Sequence, residues 1–210
     1  MVDNILKQLT WLGHDCFRLT AAGKTIYFDP FQLVEHPRPA DLILVSHEHY
    51  DHCSPEDVAK IQGPQTVIVT ESQAATKLSG DVRIVRPGER VAIDAVTIET
   101  VPAYNTNKKF HPRTNHWLGF VVTVEGVRIY HAGDSDFIPE MREIKADIAL
   151  LPVSGTYVMT AEEAAEAALA IQPQIAVPMH FAAIVGSADD GERFAAALRG
   201  KIRVEVLPKR

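Results

Sequence analysis

Three histidines and an aspartate fall within six positions of the stretch SHEHYDHCS: His47, His49, Asp51 and His52. Positions i and i+2 of an extended chain share a face, so His47 and His49 can grip one cation together. The turn that follows would swing Asp51 and His52 toward a second. Imidazole mixed with carboxylate suits zinc, and also iron or manganese. Buried polar groups packed this densely need partners, and metal is the partner that fits the pattern. Ligands from elsewhere must complete such a centre. Asp134, in YHAGDSDF, follows a strand and a glycine turn and can bridge two cations; an Asx turn is the alternative. His180, in VPMHFA, ends an apolar strand, where the alternative is a core histidine bonded to backbone.

The elements that must position these residues are short strands with helices between them. DLILV before the cluster is a continuous apolar run, as expected of a strand buried on both faces. CFRLTAAGKTIYFDPF predicts a hairpin around Ala22-Gly23, ending at Asp29-Pro30. Ser54, Pro55 and Asp57 open a helix that Gly63-Pro64 closes, and TVIVT is the next strand. A short helix over ESQAATKLSG precedes strands that turn at Pro87-Gly88. HWLGFVVTVEGVRIYHAGDS is a second hairpin, and DIALLPV and IAVPMH are strands. Thr160 and Glu163 form a capping box for a helix stopped by Pro173. SADDGERFAAALRG is a helix despite Gly191, and KIRVEVLP closes the chain as a strand. The two hairpins echo one another. The stretches that contain them, WLGHDCFRLTAAGKTIYFD and WLGFVVTVEGVRIYHAGD, start Trp-Leu-Gly at Trp11 and Trp117, reach Ile-Tyr at 26–27 and 129–130, and end on Asp29 and Asp134. Duplication of a β-rich half would produce this, and so would chance.

The totals exclude several classes. With 210 residues the chain has the length for a sizeable core in one large domain or two small ones. It is 46% hydrophobic and carries a formal net charge of −6, with no run of Lys and Arg, so no nucleic-acid footprint is expected. The two cysteines, Cys16 and Cys53, suit a reducing compartment, and no signal-like or membrane-spanning stretch is seen. A cytoplasmic protein acting on a small molecule, without membrane contact, is the expectation; self-association is left open. The loop YNTNKKFHPRTNH carries Lys108, Lys109 and Arg113, which would suit a small anionic substrate. His14 in LGHDCF is a candidate substrate contact or proton donor; Cys53 is a buried or redox-sensitive thiol, and Tyr157 is left unassigned.

HEHYDH (47–52), AGDSD (132–136), PMH (178–180) and DP (29–30) together resemble the metallo-β-lactamase superfamily along nearly the whole chain, as one domain over 1–210. WLGHDCFRL and YHAGDSDF are similar to a small branch of zinc-dependent hydrolases that includes ascorbate-6-phosphate lactonase-like proteins. The resemblance implies an α/β (α+β), four-layer αββα sandwich with two divalent metals, zinc before manganese or iron, on its rim. His47 and His49 would serve the first metal, Asp51, His52 and His180 the second, with Asp134 bridging and Asp29 orienting a ligand histidine. Asn105, in VPAYN, stands where the family has a further histidine for the first metal. His111, anchored by Phe110 and Pro112, is the first candidate to replace it, and His116 the second. The implied chemistry is attack by a metal-activated water on an ester, lactone or phosphoester. Asp51 or Asp134 would accept its proton, and His14 or a loop histidine would protonate the leaving group. A phosphodiesterase acting on nucleotides or short RNA, and a non-hydrolytic redox or sensor protein, are the alternatives.

Overall fold

The computed structural model describes residues 1–34 and 36–210. Two mixed sheets stack face to face. The first has the order β1 (Leu9–Gly13), β2 (Cys16–Ala21), β3 (Lys24–Phe28), β4 (Ala40–Val45), β5 (Gln62–Thr70) and β6 (Asp81–Ile84). The second runs, in order of its strands across the sheet, β13 (Arg203–Val204), β12 (Ile175–Met179), β11 (Ile148–Pro152), β10 (Val127–His131), β9 (Leu118–Val124), β8 (Val96–Pro102) and β7 (Arg90–Ile93).

Alternation along the strands decides the layers. On β3 and β4, Ile26, Phe28, Leu42 and Leu44 face the second sheet, joining Phe120, Val122, Ile129 and Leu150 in the main core. The residues between them, Tyr27, Ile43 and Val45, face outward onto α2 (Pro55–Ile61), through Val58 and Ile61. Both faces are therefore apolar, which is why DLILV shows no polar alternation. The outer side of the second sheet is covered by α4 (Ala161–Ile171) and α5 (Ala188–Leu198). The buried alanines 164, 165, 167 and 168 let α4 lie close, and the Thr160–Glu163 capping box is formed. Gly191 is required inside α5, since a Cβ there would come 2.9 Å from the Phe181 ring. The result is the αββα sandwich.

One element is new and three sequence expectations shift. The amino terminus forms a helix, α1 (Val2–Gln8), which buries Ile5 and Leu6. Gly63-Pro64 lies inside β5, α2 having already ended at Ile61. The turn at Pro87-Gly88 links β6 to β7, which lie in different sheets, so the chain crosses the sandwich there. The closing strand is only Arg203–Val204, paired with Ile175 and Ala176. The remaining short helix, α3 (Ser72–Ala75), is capped by Glu71. Among the described residues, no helix is long and apolar enough to cross a membrane.

The echo is partly structural. Ile26-Tyr27 pairs in parallel with Leu42-Ile43, and Ile129-Tyr130 pairs in parallel with Ile148-Ala149. Each pair ends an antiparallel hairpin and starts a parallel run, so Asp29 and Asp134 follow matched strands. Trp11 and Trp117 are not matched, because Trp11 lies in β1 and Trp117 just precedes β9.

Candidate metal centre

The residues gather at one edge of the sandwich, where β1, β4, β10 and β12 end. His47, His49 and His111 form one group whose ligand atoms lie within 4.8 Å of one another. Asp15, His52, Asp134 and His180 form a second on the same criterion, and His14, Asp51, His52 and His180 a third that overlaps it. Asp134 stands between the groups. Its Oδ2 is 3.1 Å from His111 Nε2, and its Oδ1 is 3.4 Å from both His52 Nε2 and His180 Nε2.

The imidazoles are aimed by their other nitrogens. His52 Nδ1 donates to Asp29 Oδ2 at 2.8 Å. Asp29 also accepts the Ser46 hydroxyl, so Ser46 Oγ is left to accept from His47 Nδ1 at 2.9 Å. His180 Nδ1 donates to Ser154 Oγ (2.9 Å), which itself donates to the carbonyl of Thr156. His111 Nδ1 donates to Asn105 Oδ1 at 3.1 Å. In each case the partner fixes the tautomer and leaves a lone pair on Nε2 facing the centre, the arrangement that metal-ligating histidines need. Trp117, buried and hydrogen-bonded to Gln73 through its indole N–H, packs against His47 and His49 at ring distances of 4.6 and 4.7 Å.

The electrostatics fit a cation. Asp15, Asp29, Asp51 and Asp134 surround the second group, and among the described residues none of them pairs with a Lys or Arg. His52 Nε2, His111 Nε2, Asp134 Oδ1 and both carboxylate oxygens of Asp15 are buried without a hydrogen-bond partner. Orphaned acceptors at this density are costly unless a metal satisfies them. Burial, with the Asp134 charge next, pushes the Asp15 carboxyl well above its usual range. Although burial opposes it, the neighbouring His180 and His52 hold Asp134 well below its own. Burial holds His47 well below its usual pKa and lowers His49 too, which keeps both rings free to ligate.

The segment 105–116 resolves the departure at Asn105. Asn105 does not replace the missing histidine as a ligand. Its Oδ1 accepts both the backbone N–H and the Nδ1–H of His111, and its amide donates to Asp136 Oδ1 (3.2 Å) and to the carbonyl of Tyr157 (2.8 Å). Asp136 in turn accepts the backbone N–H of Thr106 at 2.8 Å. The loop is thus folded back on a buried carboxylate, and it delivers His111, which is itself buried. His116 is different: it is exposed, in a left-handed turn after a single 3-10 turn, and stands apart from both groups. His14 is buried behind Asp51, with Nε2 3.1 Å from Asp51 Oδ2; it positions Asp51 and does not line the open mouth. This hydrogen bond holds the Asp51 carboxyl down to about 2 against the opposing effect of burial. Lys108 is bonded to Asp136 (2.6 Å) and Arg113 to Glu140 (2.9 Å), so neither faces the mouth. Cys53 is buried, and burial pushes its thiol up to about 11.

Sequence reasoning missed Asp15, Asp136, Trp117 and Ser154. Two of them had a signal: Asp15 lies beside His14 in WLGHDCFRL, and Asp136 closes AGDSD.

The sequence model of the Beta-lactamase superfamily domain matches residues 8–180, from the last residue of α1 to the last histidine of the centre. The chain belongs to the metallo-β-lactamase superfamily. Within that superfamily it is similar to a UPF0173 metal-dependent hydrolase of Thermoplasma acidophilum, 35% identical over 95% of this chain and 94% of the relative. A solved structure from Parabacteroides distasonis, provisionally assigned as a metal-dependent hydrolase, superposes with a TM-score of 0.86 at 34% identity, covering 95% of this chain and 91% of the other. A provisionally assigned zinc-dependent hydrolase of the metallo-β-lactamase superfamily from Thermotoga maritima reaches a TM-score of 0.65 at 25% identity, covering 95% and 97%.

Proposed function

We propose that this protein is a metal-dependent hydrolase that holds two divalent cations and cleaves a small ester, lactone or phosphoester. The observation that carries the reading is Asp134, whose two carboxylate oxygens face different histidine groups. The hydrolase names of its relatives agree with it. His47, His49 and His111 would hold the first cation. His52, His180 and Asp51 would hold the second, with Asp15 close by, and zinc suits the imidazole-rich first group.

Bound cations would make a coordinated water acidic enough to attack at neutral pH and would draw charge from the substrate oxygen. The chain's residues supply the rest. Asp51, kept ionised by His14, is the carboxylate available to take a proton at the open side. Asp29, Asn105 and Ser154 keep the imidazoles from turning. Because Lys108 and Arg113 are paired elsewhere and, among the described residues, Lys109 does not line the cavity over the centre, counter-charge for an anionic substrate would fall to the cations. The free thiols Cys16 and Cys53 suit the cytoplasm as its compartment.

Metal content, measured together with turnover of p-nitrophenyl esters and bis-p-nitrophenyl phosphate, tests the reading. Two cations per chain and a loss of about 100-fold or more in Asp51→Ala are expected. Full activity in that variant sinks the two-cation mechanism.

A further inference from the structure

Among the described residues, four of the nine exposed large apolar side chains gather at one place, while Met1, Val34, Ile84, Leu169 and Val206 lie elsewhere. Tyr50 (66% exposed), Phe110 (53%), Tyr157 (42%) and Ile184 (39%) all line one cavity, together with Val185. The floor of that cavity is His49, Asp51, His111, Asp134 and His180, and its volume is about 460 Å³, a size that holds a small organic molecule. Among the described residues no lysine or arginine lines it.

The rim is built, not loose. Phe110 and Tyr157 meet edge to face at 4.6 Å, and Tyr50 meets Phe31 the same way at 5.8 Å. The Tyr157 carbonyl is held by Asn105, the residue that also aims His111, so one side of the rim is tied to the floor. Exposed apolar side chains gathered around a polar floor mark a binding surface for an apolar group.

We infer that the substrate is an uncharged ester whose aryl or alkyl group sits between Phe110–Tyr157 and Tyr50–Ile184 while the scissile bond rests on the His and Asp floor. The scissile bond rests on the hydrolytic reading above; the apolar group rests on the rim alone. Recognition comes from removing that group from water, with each methylene reaching the rim improving capture about two- to fourfold.

Two measurements on the metal-loaded protein test this. The first is kcat/KM for p-nitrophenyl acetate, butyrate and hexanoate against p-nitrophenyl phosphate. The second is the affinity of acetyl, butyryl and hexanoyl hydroxamates by calorimetry, which needs no turnover. The expected result is a rise of about tenfold or more from acetate to hexanoate in both series. Phe110→Ala should shrink the hexanoate-to-acetate ratio, and Ile184→Lys should shift preference toward the phosphate. Both positions are exposed, so folding is not at stake. Turnover with flat or falling chain-length dependence, or with the phosphate preferred by the unaltered protein, overturns the inference and leaves the hydrolase reading standing. Hydroxamate affinity that rises with chain length while no ester turns over upholds apolar recognition and removes the hydrolase reading. If hydroxamate affinity does not rise and nothing turns over, both fall.

Discussion

Asn105 sits one hydrogen bond away from the first group of histidines, and its effect on them is mechanical. Asn105→Ala frees His111 Nδ1 and both anchors of the loop. Cation affinity at the first group is expected to fall by about 10- to 100-fold, read by competition with a chromogenic chelator. Asp15 acts through charge. Asp15→Asn removes a buried carboxylate that has no hydrogen-bond partner, so the cation-free protein should gain about 1 kcal/mol in urea unfolding. The gain should disappear with metal bound, because an oxygen donor has gone; an equal gain in both forms would show that Asp15 has no part in the centre. Some of this was legible beforehand. His47, His49, Asp51 and His52 announce themselves through density in one short stretch. Ser154 and Trp117 stand outside any motif of ligand residues, and only the tertiary fold brings them to the centre.

At the level of elements, the β10 exit has the tightest construction. His131 Nε2 donates to the Asp15 carbonyl at 2.9 Å, and its Nδ1 accepts the Gly133 N–H at 3.2 Å. Gly133 is left-handed, and a Cβ there would come 2.7 Å from the Leu118 carbonyl. The ring must be neutral to accept, and burial lowers its pKa below the usual histidine value. Its folded pKa is thus below its unfolded one, so the unfolded chain takes up the proton first. Its contribution to stability is present above the unfolded value of about 6.5 and is lost as pH falls toward the folded value. Compared with His131→Gln, the unaltered protein should lose up to about 1.4 kcal/mol per pH unit below that point, read by urea midpoints from pH 7.5 to 5.5. Parallel curves would remove His131 as the cause. Elements with strong local signals were readable, such as α4 with its capping box. The crossing at Pro87-Gly88 was not, because whether a turn joins strands of one sheet or of two depends on where each strand finds its partner.

For the molecule as a whole, the two sheets share the centre. His14, Asp15, His47, His49, Asp51 and His52 come from the first, and His111, Asp134 and His180 from the second. A cation bound at a thousandfold over its dissociation constant adds about 4 kcal/mol to folding. For a chain of this size that is a rise of about 8–16 °C in melting temperature, reversed by chelation. An unchanged melting temperature would mean that no cation bridges the sheets. The layered class came with the family resemblance, and the hairpin echo agreed with it, whereas the partner chosen by each ligand could not be read from the sequence. The matched strands β3 and β10 add a last consequence. Asp29 directly follows β3 and Asp134 lies three residues past β10; one is spent steadying a ring and the other lies open to the centre. A loaded centre would therefore work as a clasp on one edge of two leaves. Hydrogen exchange should slow at the ends of β4 and β10 when the clasp closes, and stay unchanged at the far edge, where Lys24 and Asp94 meet.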